Sequence, residues 1–152
     1  MKKILFFVPI LLLYNCKSLN STSKSEKTTF VEITFKSEKP IDIQNPTFEI
    51  TIYGKDKNVN SKKDAYIFTD NTIQITSLPS TIRFEIPLKP HLLLNPISSR
   101  KNVRYYIAAM CDNNNDERLK NSGDIDIDYD MKFPSISLKR NAENIVYLKT
   151  VE

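Results

Sequence analysis

Apolar and polar residues alternate with a period of two along most of the chain from Phe30 onward, which predicts β-strands rather than helices. About seven strands are predicted, at Val31–Phe35, Phe48–Ile52, Ile73–Ile75, Ile82–Ile86, Val103–Cys111, Ile125–Tyr129 and Ile145–Val151. Polar clusters at Gly54–Lys63, at Asp70 and Asn71, and at Arg140–Asn144 are expected to form turns between them. No window has the period of a long amphipathic helix.

These strands predict an all-β fold, a single immunoglobulin- or transthyretin-like β-sandwich. Val103–Cys111 carries apolar residues on both of its faces, which is typical of a central strand. The segment Pro87–Lys101 contains three prolines and is expected to cross between the two sheets with one helical turn.

The first sixteen residues have the pattern of a bacterial lipoprotein signal. Lys2 and Lys3 precede an apolar run, Ile4–Leu13, whose length fits a signal peptide and is too short to span a bilayer. The run leads to Cys16 in a sequence that resembles a lipobox, with an aliphatic residue three positions before the cysteine. We therefore predict that Cys16 is lipidated; the alternative is an ordinary secreted protein that is cleaved elsewhere.

This leader divides the chain into a signal peptide at 1–15, a lipidated cysteine with a flexible tether at 16–29, and a β-sandwich domain at 30–152. Covalent lipid would hold the domain at a membrane, because two or three acyl chains anchor firmly where one is marginal. Lys17 and Ser18 follow the cysteine without an acidic residue, which favours an outer-membrane anchor with the domain facing the periplasm.

The composition excludes several classes of function. The chain has 22 basic and 18 acidic residues, and removal of the two leader lysines leaves 20 basic ones, which is too balanced for a nucleic-acid-binding face. Two glycines are too few for a Gly-rich phosphate loop. His91 is the single histidine, and Cys111 falls in the buried phase of its strand, so we expect no catalytic Cys–His pair and no enzyme activity.

An Asp- and Asn-rich stretch offers one candidate for a metal site. Asp112, Asn114 and Asp116 place oxygen ligands at positions 1, 3 and 5 of a tight loop, as a calcium-binding loop does, and Asp124 is positioned to close the site. Glu117, however, stands where such a loop has glycine. The two interpretations are a weak Ca²⁺ site, with a dissociation constant on the order of 0.1–1 mM, and a solvated hairpin turn. We expect no other cofactor.

Two segments are candidates for binding a protein partner. Leu92, Leu93 and Leu94 either cap the core or form a groove for a partner segment. Asp126 and Asp128 belong to an acidic stretch that is either a docking face for a basic partner or the exposed side of an edge strand. Four tyrosines are further contact residues or packing residues: Tyr53, Tyr66, Tyr105 and Tyr106.

The strands, the crossing and the acidic turn follow one another in a characteristic order. An early strand is followed by Phe48–Tyr53, Ile82–Pro87, a proline-containing crossing, Tyr105–Met110, the acidic turn and a last strand, Val146–Val151. This order resembles the YbaY/YscW lipoprotein family, small β-sandwich lipoproteins that include pilotin-type chaperones of secretion secretins. The resemblance implies a membrane-anchored binding or chaperone-like module for an envelope protein, without catalysis. The alternative is a weakly calcium-binding structural module of the envelope.

Overall fold

The computed structural model describes residues 27–58, 65–94, 97–139 and 141–152, so the predicted signal peptide and Cys16 lie outside the described residues. The described chain forms eight strands: β1 (Thr28–Lys36), β2 (Thr47–Asp56), β3 (Tyr66–Gln74), β4 (Ser80–Pro87), β5 (Val103–Cys111), β6 (Ile125–Ile127), β7 (Ser135–Ile136) and β8 (Ile145–Thr150). Two single turns of 3-10 helix, Pro90–Leu92 and Arg100–Asn102, lie in the crossing between β4 and β5. Within the described ranges, no helix has the length and hydropathy that crossing a bilayer requires.

The strands form one rolled sheet in the order β3-β2-β5-β6-β8-β1-β4, and β7 pairs with β5. Paired strands are antiparallel except β1 and β8, which run parallel with Thr34 beside Ile145. β8 pairs with β6 on one side and with β1 on the other, so it joins the two halves of the sheet. Because the outer strands β3 and β4 also contact each other, the sheet is nearly closed. The predicted all-β fold is confirmed, in a form compatible with a sandwich or a barrel.

Alternate apolar positions point to the inside of this roll, as the period of two predicts. The largest fully buried side chains are Phe35, Phe48, Ile33, Ile50, Ile52, Ile75, Ile86, Ile107, Ile125, Ile127, Leu148 and Val146. Burial of each contributes about 1.5–3 kcal/mol, and these side chains come from every long strand except β3. β5 lies between β2 and β6, which confirms that Val103–Cys111 is a central strand.

Several local predictions are wrong. Asp70 and Asn71 do not form a turn but lie within β3, where the Thr51 hydroxyl donates a hydrogen bond to the Asp70 carboxylate at 2.8 Å. Polar residues are accommodated there because this part of β3 faces solvent. The strand predicted to reach Tyr129 ends at Ile127, and the two-residue strand β7 is too short to produce an alternating pattern.

The two ends of the sheet differ in what they carry. At one end, which we call the proximal end, β1 begins beside the last residue of β4, and Asp56 of β2 pairs with Val103 of β5. The crossing lies here and is fastened to the sheet because the Asp56 carboxylate accepts hydrogen bonds from the backbone N–H and the hydroxyl of Ser98. At the other end, the distal end, Cys111 pairs with Ile125.

Candidate functional site

The acidic turn, residues 112–124, carries the four predicted calcium ligands at the distal end. Their oxygens accept hydrogen bonds from the turn itself. The Asp112 carboxylate accepts the backbone N–H groups of Asp116 at 3.1 Å and Glu117 at 2.9 Å. Asn114 Oδ1 also accepts the Asp116 N–H, at 3.0 Å, and Asp116 Oδ1 accepts the Arg118 N–H at 2.9 Å. This network is that of a self-bonded polar turn, the alternative to the calcium loop.

Glu117 adopts a φ of 64°, so this position does take the left-handed conformation for which a calcium loop uses glycine. Within the described residues, no group of three or more His, Cys, Asp or Glu side chains is arranged to hold a metal ion. Calcium binding by Asp112, Asn114, Asp116 and Asp124 therefore stays a prediction.

Asn113 and Asp124 join the acidic turn to the rest of the domain. Asn113 is buried; its side-chain oxygen accepts the N–H of Gln44 at 2.8 Å, and its Nδ2 donates to the carbonyls of Asp42 and Gly123. The buried Asp124 carboxylate accepts the N–H of Asn113 and the N–H of the residue three positions before Asp124. The most connected side chain of the turn is thus Asn113, which lies between the positions predicted from ligand spacing.

The second predicted acidic feature, Asp126 and Asp128, lines a distal groove of about 720 Å³. Each carboxylate faces a lysine: Asp126 lies 3.5 Å from Lys120, and Asp128 lies 3.4 Å from Lys149. Lys149 also contacts Asp130 at 2.7 Å, and this ion pair lowers the pKa of Asp130. The edge-strand interpretation is wrong, because β6 lies between β5 and β8. The two lysines therefore partly neutralise the charge that these two carboxylates would offer to a basic partner.

The three leucines of the crossing have different environments. Leu94 is 4% exposed, so its assignment to a partner-binding surface is wrong. Leu93 is half-buried. Leu92 is 68% exposed and shares a groove with Leu93 and the exposed Leu88. An apolar surface of Leu88, Leu92 and Leu93 therefore remains at the proximal end.

Cys111 and His91 lie at opposite ends of the domain. Cys111 is buried at the distal end of β5, where its thiol donates to the Asn45 carbonyl and burial raises its pKa to about 11. His91 lies in a proximal groove beside Val103, the first residue of β5. Because a nine-residue strand separates the two side chains, they cannot form a catalytic pair.

The four predicted tyrosines divide into two groups. Tyr105 packs partly buried against Phe68, with ring centroids 5.9 Å apart, and Tyr66 contacts the same ring at 5.4 Å. These two tyrosines therefore serve packing. Tyr53 and Tyr106 are cross-strand neighbours in β2 and β5, with ring centroids 5.5 Å apart, and they lie on the outer side of the sheet.

Further apolar side chains extend this outer pair into a larger surface, which we call the aromatic face: Tyr53, Ile67, Tyr106, Tyr129 and Phe133. Ile67 of β3 pairs with Tyr53 of β2 in the sheet register. Phe133 packs edge-on against Tyr106 with centroids 5.5 Å apart, and Tyr129 lies 6.4 Å from Phe133. Phe133 is 61% exposed, and Ile67 and Tyr129 are also exposed. The arrangement is a concentration of aromatic surface on a face that usually carries polar residues.

Basic residues border the aromatic face. A groove of about 610 Å³ is lined by Tyr53, Ile67, Tyr106 and Phe133 together with Lys55 and Lys57. Partial burial raises the pKa of Tyr53, and the neighbouring tyrosines raise it further, so its hydroxyl remains a neutral donor at physiological pH. The groove therefore offers apolar rings, phenol hydroxyls and ammonium groups at one place.

Part of the aromatic face is visible in the sequence and part is not. Phe48, Ile50 and Ile52 set the inward phase of β2, so Tyr53 is an aromatic residue in the outward phase. Tyr106 stands likewise on the second face of β5. Phe133 and Tyr129 lie in the connection between β6 and β7, which has no period. Only the fold shows that this connection passes over β5.

Comparison with protein-family models finds no match, and no curated protein sequence matches the chain. Among solved structures, the chain is similar to an alternative pilotin from the type II secretion system of Vibrio cholerae, with a TM-score of 0.51 and 12% sequence identity. The match covers 83% of this chain and 99% of the pilotin chain. At this identity the likeness concerns the fold, and the chain therefore has a β fold like that of this pilotin.

Proposed function

We propose that the chain is a lipid-anchored envelope protein whose β domain binds another envelope protein through the aromatic face and carries out no catalysis. The observation that carries this proposal is the exposed aromatic cluster around Phe133 on the outer side of the sheet. Large aromatic side chains exposed together are costly to hydrate and are characteristic of binding surfaces. Tyr and Phe rings are also enriched where interfaces bury most area.

The chemistry of the groove indicates the kind of segment it accepts. Apolar side chains of a partner would pack on Tyr106 and Phe133, and its carboxylates would face Lys55 and Lys57 at the border. An amphipathic segment with apolar residues next to acidic ones meets both requirements. The phenol groups of Tyr53 and Tyr106 add hydrogen bonds that fix its orientation.

The anchoring part of the proposal rests on the leader sequence and on the likeness to a pilotin. Lipid on Cys16 would place the domain at the outer membrane, facing the periplasm, as the resemblance to the YbaY/YscW family implies. The solved neighbour is a component of a type II secretion system, which supports a role beside a larger envelope assembly.

Mild detergent extraction of the full-length protein, followed by quantitative mass spectrometry of co-purifying proteins, tests the binding proposal. We expect one envelope protein at a constant ratio to the chain, and a loss of at least tenfold in that ratio for the double variant Ile67→Thr/Phe133→Ser. Phe30→Ser is the matched control, because Phe30 is 52% exposed on β1 but lies under the Arg83 guanidinium, away from the aromatic face. Equal recovery with all three proteins would overturn the assignment of this face.

The anchor is tested separately by replacing Cys16 with alanine. We expect the Cys16→Ala variant to lose the mass increment of the acyl groups and to leave the membrane fraction after carbonate washing. A wild-type protein whose mass lacks the increment of the acyl groups would contradict lipidation.

A further inference from the structure

The proximal end of the domain is basic. Five cationic side chains line two adjoining grooves there: Lys27, Lys89, Arg100, Arg104 and Lys139. Burial lowers the pKa of His91, and the charges of Arg100 and Lys89 lower it further. Among the described residues, two carboxylates near this end are already engaged: Asp56 is buried against Ser98, and Glu85 accepts a hydrogen bond from Thr28. The cationic groups therefore dominate the electric field that reaches solvent from this end.

The distal end has the opposite character. The acidic turn and the carboxylates of Asp126, Asp128 and Asp130 are at that end, with Lys120 and Lys149 bound to them in ion pairs. The domain is thus polarised along its strands, positive at the proximal end and negative at the distal end. A negatively charged surface would attract the proximal end and so orient the domain with that end towards the surface.

Apolar surface accompanies the positive charge. Leu88 and Leu92 are exposed, and with Leu93 they line a shallow groove of about 260 Å³ whose other side chains include Lys27 and Lys89. Apolar side chains surrounded by lysine and arginine are the pattern of surfaces that enter the interface of a bilayer. Lysine stems can lie along the apolar surface while their ammonium groups reach phosphate.

The chain that leads to the predicted anchor enters the domain at this same surface. The backbone N–H of Leu88 donates to the Lys27 carbonyl at 2.8 Å, so the first described residue lies against the apolar groove. Ten residues lie between Cys16 and Lys27, and the eleven Cα–Cα steps that join the two span about 40 Å at full extension. An anchor at Cys16 therefore keeps the proximal end within reach of the membrane.

We propose that the proximal end, through Leu88, Leu92, Lys89 and Arg100, docks on the surface of a bilayer that contains anionic phospholipid. This inference rests on the lipid anchor of the proposed function. Docking fixes the orientation of the domain: the acidic distal end points away from the membrane, and the aromatic face stands on the side of the roll. A tethered but freely rotating domain would present that face in all directions.

The test uses the full-length protein, with a polarity-sensitive fluorophore attached to Leu92→Cys, in vesicles of phosphatidylglycerol and phosphatidylethanolamine or of phosphatidylcholine alone. Cys111 is buried with a raised pKa and is not expected to react, and unaltered protein treated in parallel corrects for labelling at Cys16. A label on Lys39→Cys, an exposed position away from the proximal end, is the matched control.

We expect a blue shift of the Leu92→Cys label in the anionic vesicles, a smaller shift in phosphatidylcholine, and none for the Lys39→Cys label. In the Leu92→Cys protein, Lys89→Gln/Arg100→Gln should lower the ratio of docked to free domain on the order of 25-fold, about fivefold for each cation near the surface. Lys36→Gln/Arg118→Gln, which also removes two positive charges but at the distal end, should leave this ratio unchanged.

Equal emission of the Leu92→Cys label in the anionic vesicles and in phosphatidylcholine vesicles would overturn docking. A shift that depends on protein concentration in detergent alone would also overturn it, in favour of contact between copies of the chain. Flotation of the same vesicles reports the anchor independently, so a failure of anchoring is distinguishable from a failure of docking.

Discussion

Asn113→Ala should be among the most damaging substitutions outside the apolar core. The side chain of Asn113 joins the acidic turn to the segment 42–45 and to its own far end, since it accepts hydrogen bonds from Gln44 and Asn45 and donates to Asp42 and Gly123. Each such bond contributes about 0.5–1.5 kcal/mol net, and a buried group left without a partner costs about 1–3 kcal/mol. Because water can reach part of this site after truncation, we expect a loss of about 2–4 kcal/mol in the free energy of unfolding.

Urea unfolding followed by circular dichroism measures this loss. With a slope of about 2 kcal/mol per molar urea, the midpoint should fall by about 1–2 M. Asn114→Ala is the matched control, because Asn114 is exposed in the same turn, and we expect a change below about 1 kcal/mol. Equal midpoints for the two variants would refute the role of Asn113 as the junction of these segments.

Four further predictions concern single sites. Hydrogen bonds from Ser98 lower the pKa of Asp56 from 3.8 to about 2, so its stabilising contribution should be complete above pH 4 and be lost as the pH falls towards 2. Urea titrations at several pH values should show that the free energy of unfolding depends less on pH in Asp56→Asn than in the wild type. The thiol of Cys111 should react with a disulfide reagent at pH 8 only after denaturant is added, and stoichiometric reaction of the native protein within minutes would contradict its burial. Gly54→Ala should lower the free energy of unfolding by about 1–3 kcal/mol, because the added Cβ would lie 2.7 Å from ring carbons of Phe68, and an unchanged urea midpoint would count against this packing. The self-bonded turn predicts that millimolar Ca²⁺ leaves the melting temperature unchanged, because backbone N–H groups already occupy the Asp112 carboxylate. A rise in melting temperature that disappears in Asp112→Ala would instead support the predicted calcium site.

The sequence predicts the strands well where one face is buried. β1, β2, β4 and β5 alternate because the roll hides every second residue, so their positions and inward faces follow from the period. The period of two does not predict β3, because β3 is largely exposed on both faces and carries Asp70 and Asn71. The short strand β7 is held by its register with Tyr105 and Tyr106 and has no pattern of its own.

The candidate site is predicted less completely, for a related reason. Spacing along the chain suggested oxygen ligands in the acidic turn and one apolar set in the crossing. Asn113, however, takes its role from the segment 42–45, and Leu94 is buried while its neighbour Leu92 is exposed. Likewise, Phe133 reaches Tyr106 only because the connection between β6 and β7 passes over β5. Such contacts between distant segments leave no local signal in the sequence.

Site-specific photo-crosslinking in intact cells tests the central claim, that the aromatic face binds an envelope protein, most directly. A photoreactive phenylalanine analogue replaces Phe133 in one strain and Phe30 in another; the two positions have similar exposure on different parts of the sheet. The account predicts one discrete crosslinked product from position 133, identified as an envelope protein by mass spectrometry, and no such product from position 30. No product at position 133, or the same products at both positions, would contradict the claim.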